Sequence, residues 1–205
     1  MKRLLRFSVP ALMMMAAVAG WAQKTAPAAQ TPANPYPIDV GISYTYKVAK
    51  IAGRSSSNFG LQGGAIDVTW WTPQWPKLGL AAELSSETNG NISPGVSLTQ
   101  VSVVAGPRYR LWSHSAGHVR MDLFGEALAG LVRANNGVFP SNVGGSPDTK
   151  ASSFAFQTGG GVNFNLNQRV ALRLPQVDYV YSQLPNNTNG AQSDLRIAAG
   201  VVFHL

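Results

Sequence analysis

The last eleven residues, LRIAAGVVFHL, constrain the fold of this chain more than any other stretch. Leu195, Ile197, Ala199, Val201, Phe203 and Leu205 alternate with Arg196, Ala198, Gly200, Val202 and His204. One parity is wholly apolar and the other mixes charged, small and polar side chains. This is the period-2 pattern of a strand with one greasy and one wetter face. The alternation runs to the final residue, so the chain is expected to end inside a strand and not in the frayed tail usual for a soluble domain. A sheet whose last strand pairs with its first has no edge. Closure of that kind is what a strand-built membrane protein requires, because hydrocarbon offers exposed backbone groups no partner.

The opposite end supplies the context. Met1 to Ala22 reads as a secretory signal peptide: Lys2, Arg3 and Arg6 precede an apolar run through Leu12, Met13, Met14, Met15 and Val18, and Gly20 and Ala22 are small residues where a signal peptidase reads. Residues 23–37 are rich in Ala, Pro, Gln and Thr, nearly uncharged and without apolar periodicity, and are expected to form a flexible spacer. One domain, 38–205, remains. The chain has no cysteine, so no disulfide framework or thiolate site is available. Its net charge of +7 falls to +4 once the three leader cations are removed. The remaining cations are scattered, whereas a nucleic-acid surface needs clustering, so no nucleic-acid partner is expected. No later apolar stretch reaches the roughly 20 residues of a transmembrane helix. A membrane protein of this composition has to span with strands.

Eight strands follow from the alternation: about 38–50, 61–71, 78–87, 98–111, 118–133, 152–166, 169–183 and the terminal one. In the seventh the apolar parity changes from Leu172 and Leu174 to Val177, Tyr179 and Tyr181, which predicts a bulge near Pro175. The links after strands two, four and six are brief. Those after one, three, five and seven are longer and rich in Asn, Gly and Ser: Ile51 to Gly60, Thr88 to Ser97, Ala134 to Ala151 and Leu184 to Ser193. Short turns at one rim and long loops at the other are the pattern of transmembrane barrels, with the short turns periplasmic. The predicted fold is all-β: an eight-stranded antiparallel up-and-down transmembrane β-barrel.

The surrounding solvent decides which face points where. The apolar parity should meet lipid, and the polar parity should fill a lumen too narrow for a wide pore. That interior is predicted to hold Asp39, Lys47, Asp67, Glu83, Arg108, Arg110, Arg120, Asp122, Glu126, Arg173, Asp178 and Arg196, six acids and six bases. The match suggests pairing, since buried charges are tolerated when compensated. Gly41, Gly79, Gly106, Gly159, Gly161 and Gly200 share the inward parity and leave space for long charged side chains. Trp70, Trp71, Trp75, Tyr109 and Trp112 fall near the short turns, with Tyr46 and Tyr181 toward the long loops, which suggests an aromatic girdle at each interface.

The ending GVVFHL is similar to the C-terminal signature of bacterial outer-membrane proteins, carried here by Gly200, Phe203 and Leu205, with Leu205 in place of the usual Phe. The stretches GPRYRLW, LFGEALAGLVRA, GGGVNFNL and ALRLPQVDYVYSQLPNNTNGAQSDLRIAAGVVF resemble the OmpA-like eight-stranded outer-membrane barrels, over roughly Ile38 to Leu205. The resemblance implies an outer-membrane location after signal-peptide removal, contact with outer-membrane lipids and folding by the barrel assembly machinery. It covers the barrel alone. No peptidoglycan-binding domain follows the closing strand, so tethering to peptidoglycan is not expected.

Catalytic chemistry is not expected, and no cofactor or metal is implied. His114 and His118 lie at a turn, and two histidines do not make a zinc site. Ser113 and Ser115 flank His114, but neighbours in sequence do not present a nucleophile to a base. Some small outer-membrane barrels are lipid-modifying enzymes with a Ser/His pair at the membrane face, yet His204 has inward parity. Gly159-Gly160-Gly161 lies within a strand and not before a helix, so it is no phosphate loop. Asn186-Asn187-Thr188 matches a glycosylation pattern but reads as plain loop composition. The cations Arg108, Arg110, Arg120 and Arg173 admit two readings, a solute constriction or an interior salt-bridge network, and the narrow lumen favours the network. The longest outer link, Ala134 to Ala151, is a candidate surface for an unidentified extracellular ligand, although Phe139 is its one aromatic residue. Three functions remain open: a structural or envelope-interaction barrel, a small porin-like solute or ion channel, and a soluble lipocalin-like carrier with its apolar face inward.

Overall fold

In the computed structural model the chain closes into an eight-stranded barrel. The structure describes residues 36–50, 58–93, 96–116, 119–139, 148–185 and 190–205. The signal peptide, most of the spacer and His118 lie outside the described residues. The strands are β1 (Ile38–Lys50), β2 (Asn58–Trp71), β3 (Leu78–Ser93), β4 (Val96–Ala116), β5 (Val119–Phe139), β6 (Asp148–Asn165), β7 (Val170–Ser182) and β8 (Gln192–His204). Each pairs antiparallel with the next, and β8 pairs with β1. That seam runs from Asp39↔His204 to Val48↔Leu195. It is extended by Leu205, whose N–H donates to the Ile38 carbonyl at 2.8 Å while the Ile38 N–H donates to its carbonyl at 3.2 Å. The terminal residue thus completes the ladder.

The apolar parity is on the outside. Ile42 is 53% exposed, Leu131 68% and Phe203 40%, whereas Arg108, Arg173 and Arg196 are each 1% exposed. A soluble carrier requires the reverse, with charges wet and grease enclosed. Short turns are held by local side-chain bonds. The Thr72 hydroxyl donates to the carbonyls of Trp75 and Leu78, both at 2.9 Å, and the Asn167 Oδ1 accepts from the N–H groups of Arg169 and Val170 at 2.8 and 2.9 Å.

In β7 the register shifts between Arg173 and Gln176. Both face inward although they are three residues apart, which moves Val177 and Tyr179 to the lipid side. A second irregularity in β4, between Arg110 and Trp112, turns Leu111 and Trp112 outward together.

The structure corrects the sequence reading of the strand ends, the interior and the aromatic girdle. The strands run further toward the long-loop rim than alternation indicated, and β4 also runs past the expected Leu111 to Ala116, so His114 lies in the strand and not at a turn. The β5–β6 ladder continues through Asn135↔Lys150 and resumes at Phe139↔Asp148, so much of the expected Ala134 to Ala151 loop is strand. Backbone pairing needs no apolar outer face: above the greasy belt Arg133 and Lys150 point outward while Ala134 and Phe139 point inward, so the pattern that marks the belt is lost before the ladder is. The interior is also not wholly polar: Leu61, Leu98, Leu128, Val132, Phe139 and Leu184 form a buried cluster on the inward face. Finally, Trp71 does not belong to a girdle. It is 6% exposed and faces the lumen, whereas Trp70, Trp75, Tyr109 and Trp112 are outside.

Deleting Leu205 removes both backbone bonds to Ile38. At about 1 kcal/mol net each, this should weaken seam closure by about 2 kcal/mol. The folded fraction, read as the fast-migrating band in unboiled gel samples, should fall. A truncated chain that folds in full yield would count against a role for the terminal residue.

Candidate functional site

The candidate site is the lumen. Alternation sends the odd-numbered residues of β1, β2 and β3 and the even-numbered residues of β4, β5 and β8 inward, and there the expected charges collect. All twelve predicted charged residues have inward positions. Eleven are buried, and Arg120, near the short-turn rim, retains 27% side-chain exposure.

The central cluster is built on Asp67 of β2. Its Oδ1 accepts from Arg108 Nη1 at 2.6 Å and its Oδ2 from Arg173 Nη1 at 2.8 Å. Arg108 also reaches Glu126, with Nε at 2.7 Å, and donates to the Thr69 hydroxyl at 2.7 Å. The other Glu126 oxygen accepts from Gln176 at 3.1 Å and Gln157 at 3.4 Å. Arg173 is steadied by Asn163 Oδ1 at 3.0 Å. Both guanidinium groups lie over the Phe124 ring, at 4.8 and 4.9 Å, so an aromatic face supports the two like charges. Gly41 leaves the necessary space. A Cβ there would run into the Asp67 carboxylate and lie 3.3 Å from an Arg173 nitrogen.

Toward the long-loop rim, Arg196 forks onto Glu83 at 2.6 and 2.9 Å and onto Asp178 at 3.0 and 3.2 Å, with Glu87 at 3.6 Å. Lys47 donates to Glu87 at 2.9 Å and to Gln100 at 3.2 Å. Gln176 joins the two clusters by donating to Asp178 at 3.0 Å as well as to Glu126. The connected set takes a side chain from each of the eight strands. Several bonds cross the lumen and do not follow its wall: Arg196 on β8 meets Glu83 on β3, and Arg173 on β7 meets Asp67 on β2.

At the short-turn rim a separate chain lies beside the seam. His204 Nδ1 is 2.6 Å from Asp39 Oδ1 and its Nε2 is 2.9 Å from Asn165 Oδ1. Asn165 donates to Asp122 at 2.7 Å, and Asp122 accepts from Arg120 at 3.0 Å. The Trp71 indole donates to Asp39 at 2.6 Å. Arg110 has no carboxylate within ion-pair distance among the described residues. It lies over Trp71 at 4.3 Å and reaches the Pro76 carbonyl at 3.4 Å.

Sequence reasoning left Glu87 and Asp194 out of the buried polar set, and gave His204 its inward position without a partner. Glu87 was within reach of the same rule, two and four residues beyond Ser85 and Glu83. Asp194 fell between the expected loop, which ended at Ser193, and the expected last strand, which began at Leu195, whereas β8 begins at Gln192. The expected balance of six acids and six bases is therefore corrected to eight acids and six bases, with His204 beside them. A small cavity of mixed lining adjoins Asp194, bounded by Lys47, Gln100 and Gln157 on its polar side and by Val104, Val132 and Val180 on its apolar side. His114 is exposed and stacked on Trp112, with ring centroids 5.3 Å apart. No group of side chains able to hold a metal ion occurs among the described residues.

Known proteins carry the same architecture. The profile of a family described as "Outer membrane protein beta-barrel domain" matches residues 10–203. Among solved structures, the Neisserial surface protein A is similar with a TM-score of 0.60 at 18% identity, covering 82% of this chain and 97% of that one. Ail, the attachment invasion locus protein of Yersinia pestis, has a TM-score of 0.49 at 16% identity, with the same two coverages. No curated protein sequence matches the chain.

Replacing Arg196 by Met should cost about 3–5 kcal/mol, because Glu83 and Asp178 stay buried without their counter-ion. Urea unfolding in lipid vesicles measures this. The triple variant R196M/E83Q/D178N, which removes the stranded charges as well, should be more stable than R196M alone.

Proposed function

The chain belongs to the outer membrane protein beta-barrel domain family, and on that premise we propose that it is a structural, envelope-interacting barrel and not a conducting channel or an enzyme. Membership of that family places it in the bacterial outer membrane. The observation that carries the proposal is the ion network crossing the lumen. Arg108, Arg173 and Arg196 reach acids on non-adjacent strands, so the paired charges occupy the axis that a solute path would need. A narrow eight-stranded barrel has room for side chains or a path, and here the side chains take it.

The short-turn rim then faces the periplasm and the longer connections face outward, where they are the surface offered to partners. Delivery requires a cleaved leader. Insertion requires recognition of the closing strand by the barrel assembly machinery, a role that the terminal set Gly200, Phe203 and Leu205 suits. The observed pairing of Leu205 with Ile38 supports that reading, since this strand must form the seam.

The channel reading makes a different prediction. In planar bilayers the purified barrel should give no sustained single-channel steps. A charge swap at Arg108 or Glu126 should destabilise it before it conducts. Steady conductance from the unaltered protein, changed in ion selectivity by either swap, would overturn the closed-lumen proposal.

A further inference from the structure

On the outer wall, the β5–β6 ladder changes character over three successive outward-facing pairs. Leu131 faces Phe154, Arg133 faces Ser152, and Asn135 faces Lys150. The first pair belongs to the greasy belt, with Leu131 68% and Phe154 44% exposed. Arg133, Ser152 and Lys150 are also exposed, and among the described residues neither cation is paired. A strand rises about 3.3 Å per residue, so Arg133 stands only about 7 Å beyond Leu131, at the level where headgroups begin. Arg133 and Lys150 are diagonal neighbours on adjacent strands, about 7–8 Å apart at the backbone and within joint reach of one anion.

The charge distribution sharpens this. Eight of the nine acids are buried in the lumen. The exception, Asp148, lies two residues beyond Lys150, further from the belt. Two cations with no acid beside them attract an anion, and the anion present at headgroup depth is a lipid phosphate. The guanidinium fork suits phosphate oxygens, the Ser152 hydroxyl supplies a further donor, and the Leu131–Phe154 pair below offers a surface for acyl chains.

We propose that Arg133 and Lys150, with Ser152 beside them, bind the phosphate of an outer-leaflet lipid whose acyl chains lie on Leu131 and Phe154. The inference rests on the outward orientation of the long-loop rim.

The test is a titration of the full barrel, in zwitterionic micelles, with a bisphosphorylated acylated disaccharide, read by native mass spectrometry. The R133Q/K150Q variant should bind roughly thirtyfold more weakly, from about fivefold for each basic residue. R133K/K150R should retain most of the affinity. The dephosphorylated glycolipid, phosphatidylcholine and inorganic phosphate should bind poorly to the unaltered protein. Equal binding of R133Q/K150Q and the unaltered barrel would overturn the site, as would equal binding of the dephosphorylated lipid. Tight binding of inorganic phosphate would overturn the assignment to a lipid. Unboiled gel mobility reports folding of each variant, and if the double variant does not fold, R133Q and K150Q singly carry the same comparison. Surface labelling of an epitope inserted within residues 140–147 reports orientation separately, so a failure of that premise is distinguishable from a failure of the site.

Discussion

Arg196, forked between Glu83 and Asp178 across the lumen, shows the constraint on which the rest of the barrel depends. A charge enclosed by protein and surrounded by lipid has no water to stabilise it, so it must meet its counter-charge with good geometry. In a cylinder of eight strands the counter-charge can stand on the opposite wall, because the lumen is about two long side chains wide. The ion pairs therefore act as spokes. They occupy the axis and join strands that share no ladder. They also require small residues behind them, as at Gly41 against Asp67 and Arg173.

The same constraint accounts for the exterior. Each charge placed on the lipid face near the midplane costs about 2–4 kcal/mol, so the inward parity collects eight of the nine acids and, among the described residues, six cations. What remains outside is apolar through the belt and cationic just beyond it on β5 and β6. The interior is layered as well. The ion network fills the middle, His204 with Asp39 and Asn165 closes the seam at the short-turn rim, and an apolar cluster containing Leu61, Leu128 and Leu184 packs the remainder. The excess of acids over bases collects where Glu87 and Asp194 stand near Lys47, beside the small cavity.

Much of this was legible along the chain. Parity alone placed Asp67, Arg108, Glu126, Arg173 and Arg196 on one side of the wall, because a side chain on a strand has only two directions to take. The parity change at Pro175 marked the bulge in β7. The ends of strands were less legible: β5 and β6 continue as a ladder where the outward face has turned polar and the inward one carries Ala134 and Phe139, and Asp194 fell between the expected loop and the expected start of the last strand. Trp71 read as one of a cluster of interfacial aromatics, yet its odd-numbered position in β2 turns it inward to Asp39.

By itself, the sequence determined the number of strands, their alternation and the face each charged residue takes, since these follow from local period and from the solvent on either side. The partner of each charge was decided only by the tertiary structure. Arg108 could have met any inward acid. Strand tilt and register brought it to Asp67 and Glu126, set Arg110 against Trp71, and carried Arg196 across to Glu83. Residues far apart in the chain meet when the cylinder closes, and closure is a property of all eight ladders together, which no single strand encodes.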